Sequence, residues 1–229
     1  MSADGQPPRH RVPNVLLHSA LAVCVLAWFG IGCAYVVSAS EGHVPWCVPY
    51  LTGCDSISAT GRHGWGYFVF KITMLPGAAF SAVYWLLCAA WLQASGSRYR
   101  LILALGVLGS VFLALYVTFL GSDGDVYRLM RRYGTVGYFG FTFLAQLLFS
   151  RRVRDIVGDS WLASCKVWLG LGMLIGGIVF AGIANLAAEK EAIQNVSEWW
   201  FATGLTGYPL LTWVLWRRLG FQLEARLER

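Results

Sequence analysis

Six long apolar runs occupy most of the chain, at residues 15–38, 66–92, 101–120, 126–149, 162–188 and 197–216. Each is close to or above the ~20 residues that an α-helix needs to cross ~30 Å of hydrocarbon. None alternates with the period of two that marks a membrane barrel strand. Lipid cannot hydrogen-bond an exposed backbone, so each run has to satisfy its own peptide groups. The expectation is an all-α polytopic transmembrane bundle of six helices. Charged residues make up 13% of the chain and hydrophobic ones 57%, where a soluble domain carries roughly a quarter charged. The connections are too short for a separate soluble unit. The organisation expected is a disordered cytoplasmic tail at 1–12, a transmembrane domain at 13–218 and a second cytoplasmic tail at 219–229. Pro13 breaks the chain just before the first run, which is too long for the core of a signal peptide.

The net charge of +6 does not point to nucleic acid, because the basic residues sit at the borders of the runs. Both tails and the second and fourth loops hold 11 arginines: Arg9, Arg11, Arg98, Arg100, Arg151, Arg152, Arg154, Arg217, Arg218, Arg226 and Arg229. The opposite side holds five basic residues, Arg62, Arg128, Arg131, Arg132 and Lys190. Positive charge concentrates on the cytoplasmic side, so both termini should be cytoplasmic and the long first loop, residues 39–65, should lie on the other face. Tryptophans group the same way, with Trp46, Trp65, Trp199 and Trp200 at one expected interface and Trp91, Trp161, Trp213 and Trp216 at the other. Cys47 and Cys54 share the first loop on the non-cytoplasmic face, where disulfides persist, and are expected to be bridged. Cys24, Cys33, Cys88 and Cys165 fall in or beside the runs, where a thiol packs as a small hydrophobe.

Chemistry-bearing residues gather at the non-cytoplasmic face. Asp55, Ser56, Ser58, Thr60, Arg62 and His63 lie within ten residues of one another. Arg62 can grip a phosphate bidentately while the hydroxyls donate to it. The same stretch also reads as a polar turn, in which Asp55 or Ser56 caps a short helix and Gly61 supplies the bend. Glu198 heads the sixth run and is either a favourable charge at a helix start or a costly carboxylate kept for function. Lys71, early in the second run, either snorkels to the interface or pairs inside the bundle with Asp55, Asp125 or Glu198. One site gathers these residues. Arg62 and Lys71 hold a phosphate, Ser56 or Ser58 supplies a hydroxyl, and His63 is the general base oriented by Asp55 or Glu198. Trp65 and Trp199 flank it as lipid-facing rings. The chain has no HExxH and no paired histidines at helical spacing, so neither a metal nor another cofactor is expected. Asn195-Val196-Ser197 matches a glycosylation sequon close to the membrane. Gly172 with Gly176, and Gly134, Gly137 and Gly140, suit close helix packing.

The stretch from Pro49-Tyr50 through Ser56-Ile57-Ser58-Ala59-Thr60-Gly61, followed by an aromatic-rich second run, resembles the first-loop signature of the Frag/DRAM/Sfk family of six-span membrane proteins. Gln194 to Trp199 is similar to the start of that family's last helix, an acidic residue followed by an aromatic. The resemblance covers most of the chain. It implies lipid work, or regulation through lipid, at the lumenal or outer face, the family including a GPI-anchor lipid-remodelling factor. Leu205 and Pro209 stand where the remodelling branch carries Asn and His.

Function therefore reads first as a multi-pass membrane protein that binds or remodels lipids, with acyl transfer or hydrolysis as the implied chemistry. The alternative is a non-enzymatic lipid-binding scaffold that meets a cytoplasmic protein through its arginine-rich loops. A small-molecule transporter comes third. A bacterial inner membrane and a eukaryotic endomembrane or plasma membrane all fit.

Overall fold

The computed structural model describes residues 10–11, 14–221 and 224–225. Expectations for Pro13 and for most of the tails at 1–12 and 219–229 fall outside those residues. A 3₁₀ turn, Asn14–His18, leads into α1 (Ser19–Ser40). The first loop carries two short helices, α2 (Pro49–Thr52) and α3 (Ile57–Thr60). Four long helices follow: α4 (Gly64–Ala94), α5 (Arg100–Phe119), α6 (Asp125–Val157) and α7 (Trp161–Leu186). The last, α8, covers Lys190–Leu219. Two-residue strands β1 (His10–Arg11) and β2 (Glu224–Ala225) pair antiparallel, which brings the two ends of the described chain together.

The six long helices pack as a closed ring in chain order, and α8 returns to lie against α1. Two apolar clusters fill it. One, near the chain ends, is built around Tyr84, Trp85, Trp91, Phe149, Leu162 and Trp216. The other, toward the first loop, centres on Phe70, Met74, Tyr116, Tyr138, Trp199 and Leu205. Polar pairs stitch helices across the ring. Ser110 donates to Ser81 at 2.9 Å, and Gln146 Nε2 donates to the Leu205 carbonyl at 2.8 Å. Cys24 Sγ meets the Thr206 carbonyl at 2.9 Å.

Four of these helices are long and apolar enough to cross a membrane by length and composition: residues Leu16–Ser40, Gly64–Ala94, Arg100–Phe119 and Trp161–Leu186. The remaining two, α6 and α8, have 33 and 30 residues. Arginines stud both ends of α6, and Tyr, Gly, Thr and Gln dilute its centre. α8 is similarly rich in Trp, Tyr and Thr. At 1.5 Å per residue, α6 is about 50 Å long, so it outreaches a hydrocarbon core of ~30 Å.

Helix ends differ from the expected borders for that reason. Arg151, Arg152 and Arg154, placed in a loop by the apolar pattern, continue α6, which stops only at Gly158, φ 72°. α8 starts at Lys190, eight residues ahead of Glu198, so the carboxylate does not cap it. The expected tryptophan belts are half internal. Trp46, Trp65, Trp161 and Trp200 are exposed, whereas Trp91, Trp199 and Trp216 are buried in the bundle.

Glycines separate packing seams from open faces. A Cβ at Gly134 would meet the Tyr116 backbone and one at Gly109 would meet Thr142, which lets α5 and α6 approach closely. Gly172 and Gly182 on α7 have nothing within 4 Å of that position. Gly134→Leu is therefore expected to lower the unfolding temperature in detergent, with about 1–3 kcal/mol lost to overpacking. Gly172→Leu should leave it unchanged, as read by scanning fluorimetry.

Candidate functional site

The first loop is tied down over the open end of the ring. Cys47 and Cys54 form a disulfide. Tyr35 on α1 anchors its near end, since the hydroxyl accepts from Cys47 N at 2.8 Å and donates to the Cys47 carbonyl at 2.8 Å. From α8, Asn195 Nδ2 donates to the Gly53 carbonyl at 2.9 Å, which occupies the side chain of the sequon. Trp199 Nε1 donates to the Asp55 carbonyl at 3.0 Å, and Trp200 Nε1 to the Tyr50 carbonyl at 3.1 Å. Gly53 is left-handed, φ 61°, and a Cβ there would strike the Ala192 backbone, so only glycine lets α2 seat on α8.

The loop brings several expected site residues together. Ser56 caps α3, its hydroxyl accepting from Ala59 N at 3.3 Å, while Asp55 Oδ1 accepts from Ser56 N at 2.8 Å. Ser56 Oγ lies 3.0 Å from Ser58 Oγ, and Arg62 donates to Ser58 Oγ at 2.7 Å. Glu198 reaches in from α8, close enough to feel the Ser58 backbone N–H and the charges of Arg62 and Asp55. Asp55, Ser56, Ser58, Arg62 and Glu198 thus form one cluster of hydroxyls, a guanidinium and carboxylates. Trp199 closes its inner side.

His63 and Lys71 have other neighbours. His63 immediately precedes α4, and its ring packs on His43 with centroids 5.6 Å apart. His43 in turn lies 3.7 Å from Glu41. Glu41 also accepts from Trp65 N at 3.0 Å, so a carboxylate at the end of α1 satisfies an open donor at the start of α4. Lys71 donates to Tyr67 OH at 2.6 Å and to the Thr118 carbonyl at 3.0 Å, on the α4–α5 surface. It pairs with none of the carboxylates named for it from the sequence. Trp65 is 69% exposed and turns outward rather than into the cluster. No group of three or more His, Cys, Asp or Glu able to hold a metal occurs among the described residues.

Beside the cluster, a cleft of about 360 Å³ opens between α1 and α8. Ile31, Gly32 and Val36 line one wall, Ala202 and Thr203 the other, and Tyr50 and Trp199 the end under the loop. Tyr50 OH and Thr203 Oγ1 are 2.8 Å apart across it. At its deep end Trp28 Nε1 donates to Thr206 Oγ1 at 2.9 Å. The walls are apolar, and the polar groups concentrate toward the loop.

The sequence reading passed over one interior group. Lys166, 0% exposed, sits in α7 and donates to Thr212 Oγ1, which also pairs with Tyr84 OH at 2.8 Å. Its ammonium lies 3.6 Å from the centre of the Tyr208 ring and 5.2 Å from that of Phe149. Tyr208 OH continues the network to Ser150 at 2.7 Å. A lone lysine inside an apolar run was the available signal, because such groups inside a membrane mark either function or a deliberate internal tie. Here it fastens α7 to α6 and α8 through aromatic faces and a hydroxyl.

No protein-family model, curated protein or solved structure matches this chain.

Lys166→Ala should empty this interior position and lower stability by about 2–3 kcal/mol, with Lys166→Met, which keeps the stem, losing less. Thermal unfolding of the two variants in the same detergent measures the difference.

Proposed function

We propose that this chain is a six-span integral membrane protein that binds membrane lipid in the cleft between α1 and α8, at the non-cytoplasmic face. The observation that carries this reading is an apolar cleft that ends on Tyr50, Ile57 and Trp199 beneath a tethered loop, with Ser56 and Ser58 flanking Ile57 in the chain and Glu198 preceding Trp199. An acyl chain fits the wall of Ile31, Val36 and Ala202. A headgroup would then meet hydroxyls and a guanidinium suited to phosphate. Tyr50 and Trp199 stand where amphipathic rings are favoured, at the boundary between tail and headgroup. The resemblance to the Frag/DRAM/Sfk family supports the same face and the same class of ligand, with both termini cytoplasmic.

Binding is favoured over acyl transfer. Transfer or hydrolysis needs a base against a hydroxyl, and His63 packs at a tilt against His43 and makes no hydrogen bond to Ser56 or Ser58. Lipid handling without turnover also needs no further catalytic group.

The test is lipid retention through purification in mild detergent, followed by extraction and mass spectrometry. The parent is expected to retain one lipid class well above its share of the membrane. Thr203→Trp, which fills the cleft, should cut that retention at least about fivefold, and Arg62→Gln should change which headgroup is kept. Bulk-like lipid on the parent, unchanged by Thr203→Trp, would contradict the reading. Labelled phospholipid offered with a lysolipid acceptor separates binding from chemistry. Turnover that vanishes in Glu198→Gln would make the protein an enzyme.

A further inference from the structure

A second cavity lies at the opposite end of the bundle, where the chain ends meet. It measures about 580 Å³ and opens where the α4–α5 turn faces α6. Arg98, Arg100 and Arg152 line it with Tyr99, while Leu101 and Leu148 supply an apolar flank. α5 begins at Arg100 with no side-chain cap, so its first-turn N–H groups add positive potential beside the guanidinium groups.

Three other arginines near this end are engaged, whereas Arg151 on α6 is exposed outside the cavity. Arg154 pairs with Asp159 at 3.1 Å. Arg217 lies over the Trp213 ring at 4.9 Å and Arg218 over Trp161 at 5.0 Å. Within the cavity Arg152 pairs with Asp155 at 3.4 Å, whereas Arg98 and Arg100 have no ion-pair or hydrogen-bond partner for their side chains among the described residues. Two free guanidinium groups at the rim and exposed leucine below, Leu101 at 63%, make an amphipathic site.

From this geometry we infer that the cavity binds the phosphate of an anionic phospholipid in the leaflet facing the chain termini. Arg98 and Arg100 grip the phosphate, Arg152 and Tyr99 border it, and one acyl chain runs along Leu101 and Leu148. Arginine suits the task because its planar fork matches phosphate oxygens bidentately. A soluble phosphate compound would leave the apolar flank unused, and this favours the lipid. The inference rests on the membrane-embedded reading but not on the α1–α8 cleft.

The experiment places the full chain in nanodiscs of phosphatidylcholine carrying a minority of phosphatidylglycerol, then releases it for native mass spectrometry. The parent should keep phosphatidylglycerol over phosphatidylcholine by at least about tenfold, in line with two arginines near an anionic surface. Arg98→Gln with Arg100→Gln should abolish the preference. Leu148→Trp, which fills the flank without changing charge, should weaken it as well. Arg217→Gln with Arg218→Gln, on the same face outside the cavity, should leave it within about twofold. Thr203→Trp should also leave it intact, which separates this site from the cleft. A loss shared by the Arg217 and Arg218 pair would reduce the effect to general surface charge and overturn the site. Displacement of the lipid by millimolar inorganic phosphate would assign the cavity to free phosphate instead, and absence of any preference in the parent would also overturn the inference.

Discussion

Hydrocarbon offers no hydrogen bonds, so a chain embedded in it has to satisfy every polar group from within, and the rest of this structure follows from that. Helices solve the backbone. Closing the ring, with α8 returning to α1, gives many interior polar side chains a partner, although Ser19, Ser38, Thr142 and Trp216 each keep a buried polar atom without one among the described residues. Lys166 shows the rule at its strictest. Among the described residues no carboxylate meets its ammonium, and Thr212 and the faces of Tyr208 and Phe149 take that place. Gln146, Ser150 and Tyr208 are linked in the same way across α6 and α8.

Closing the ring also creates the place where function can sit. The α1–α8 seam joins the first and last long helices, which no short connection draws together, and the cleft opens along it. The first loop then finishes the fold from above. Its disulfide closes it on itself, and the Tyr35 hydroxyl and the donors Asn195, Trp199 and Trp200 fix it to α1 and α8. A loop held at so many points presents Ser56, Ser58 and Arg62 in a set geometry.

Helical character was legible in the sequence because apolar runs of this length admit little else. Helix ends were not. Apolar content stops where hydrocarbon stops, but a helix stops where a residue breaks it, so α6 runs past its arginines to Gly158 and α8 starts eight residues before Glu198. Among the candidate residues, those close in the chain come together through local geometry. Ser56, Ser58 and Arg62 lie within seven residues and meet through one short helix. His63 packs against His43, a neighbour set by where the end of α1 meets the start of α4, a tertiary fact no local pattern carries. Lys166 was visible as the one charge in its run, and its partners come from α6 and α8, which no local pattern reveals.

The central claim is that the α1–α8 cleft holds a chosen lipid rather than a share of the surrounding bilayer. A photo-crosslinking residue at Gly32 tests it most directly, since that position lines the cleft and has nothing within 4 Å of an added Cβ. The comparison is the same residue at Phe29, 66% exposed on the outer face of α1. After irradiation in native membranes, mass spectrometry of the adducts should give one lipid class at Gly32 and the bulk mixture at Phe29. The same mixture at both positions would contradict the account.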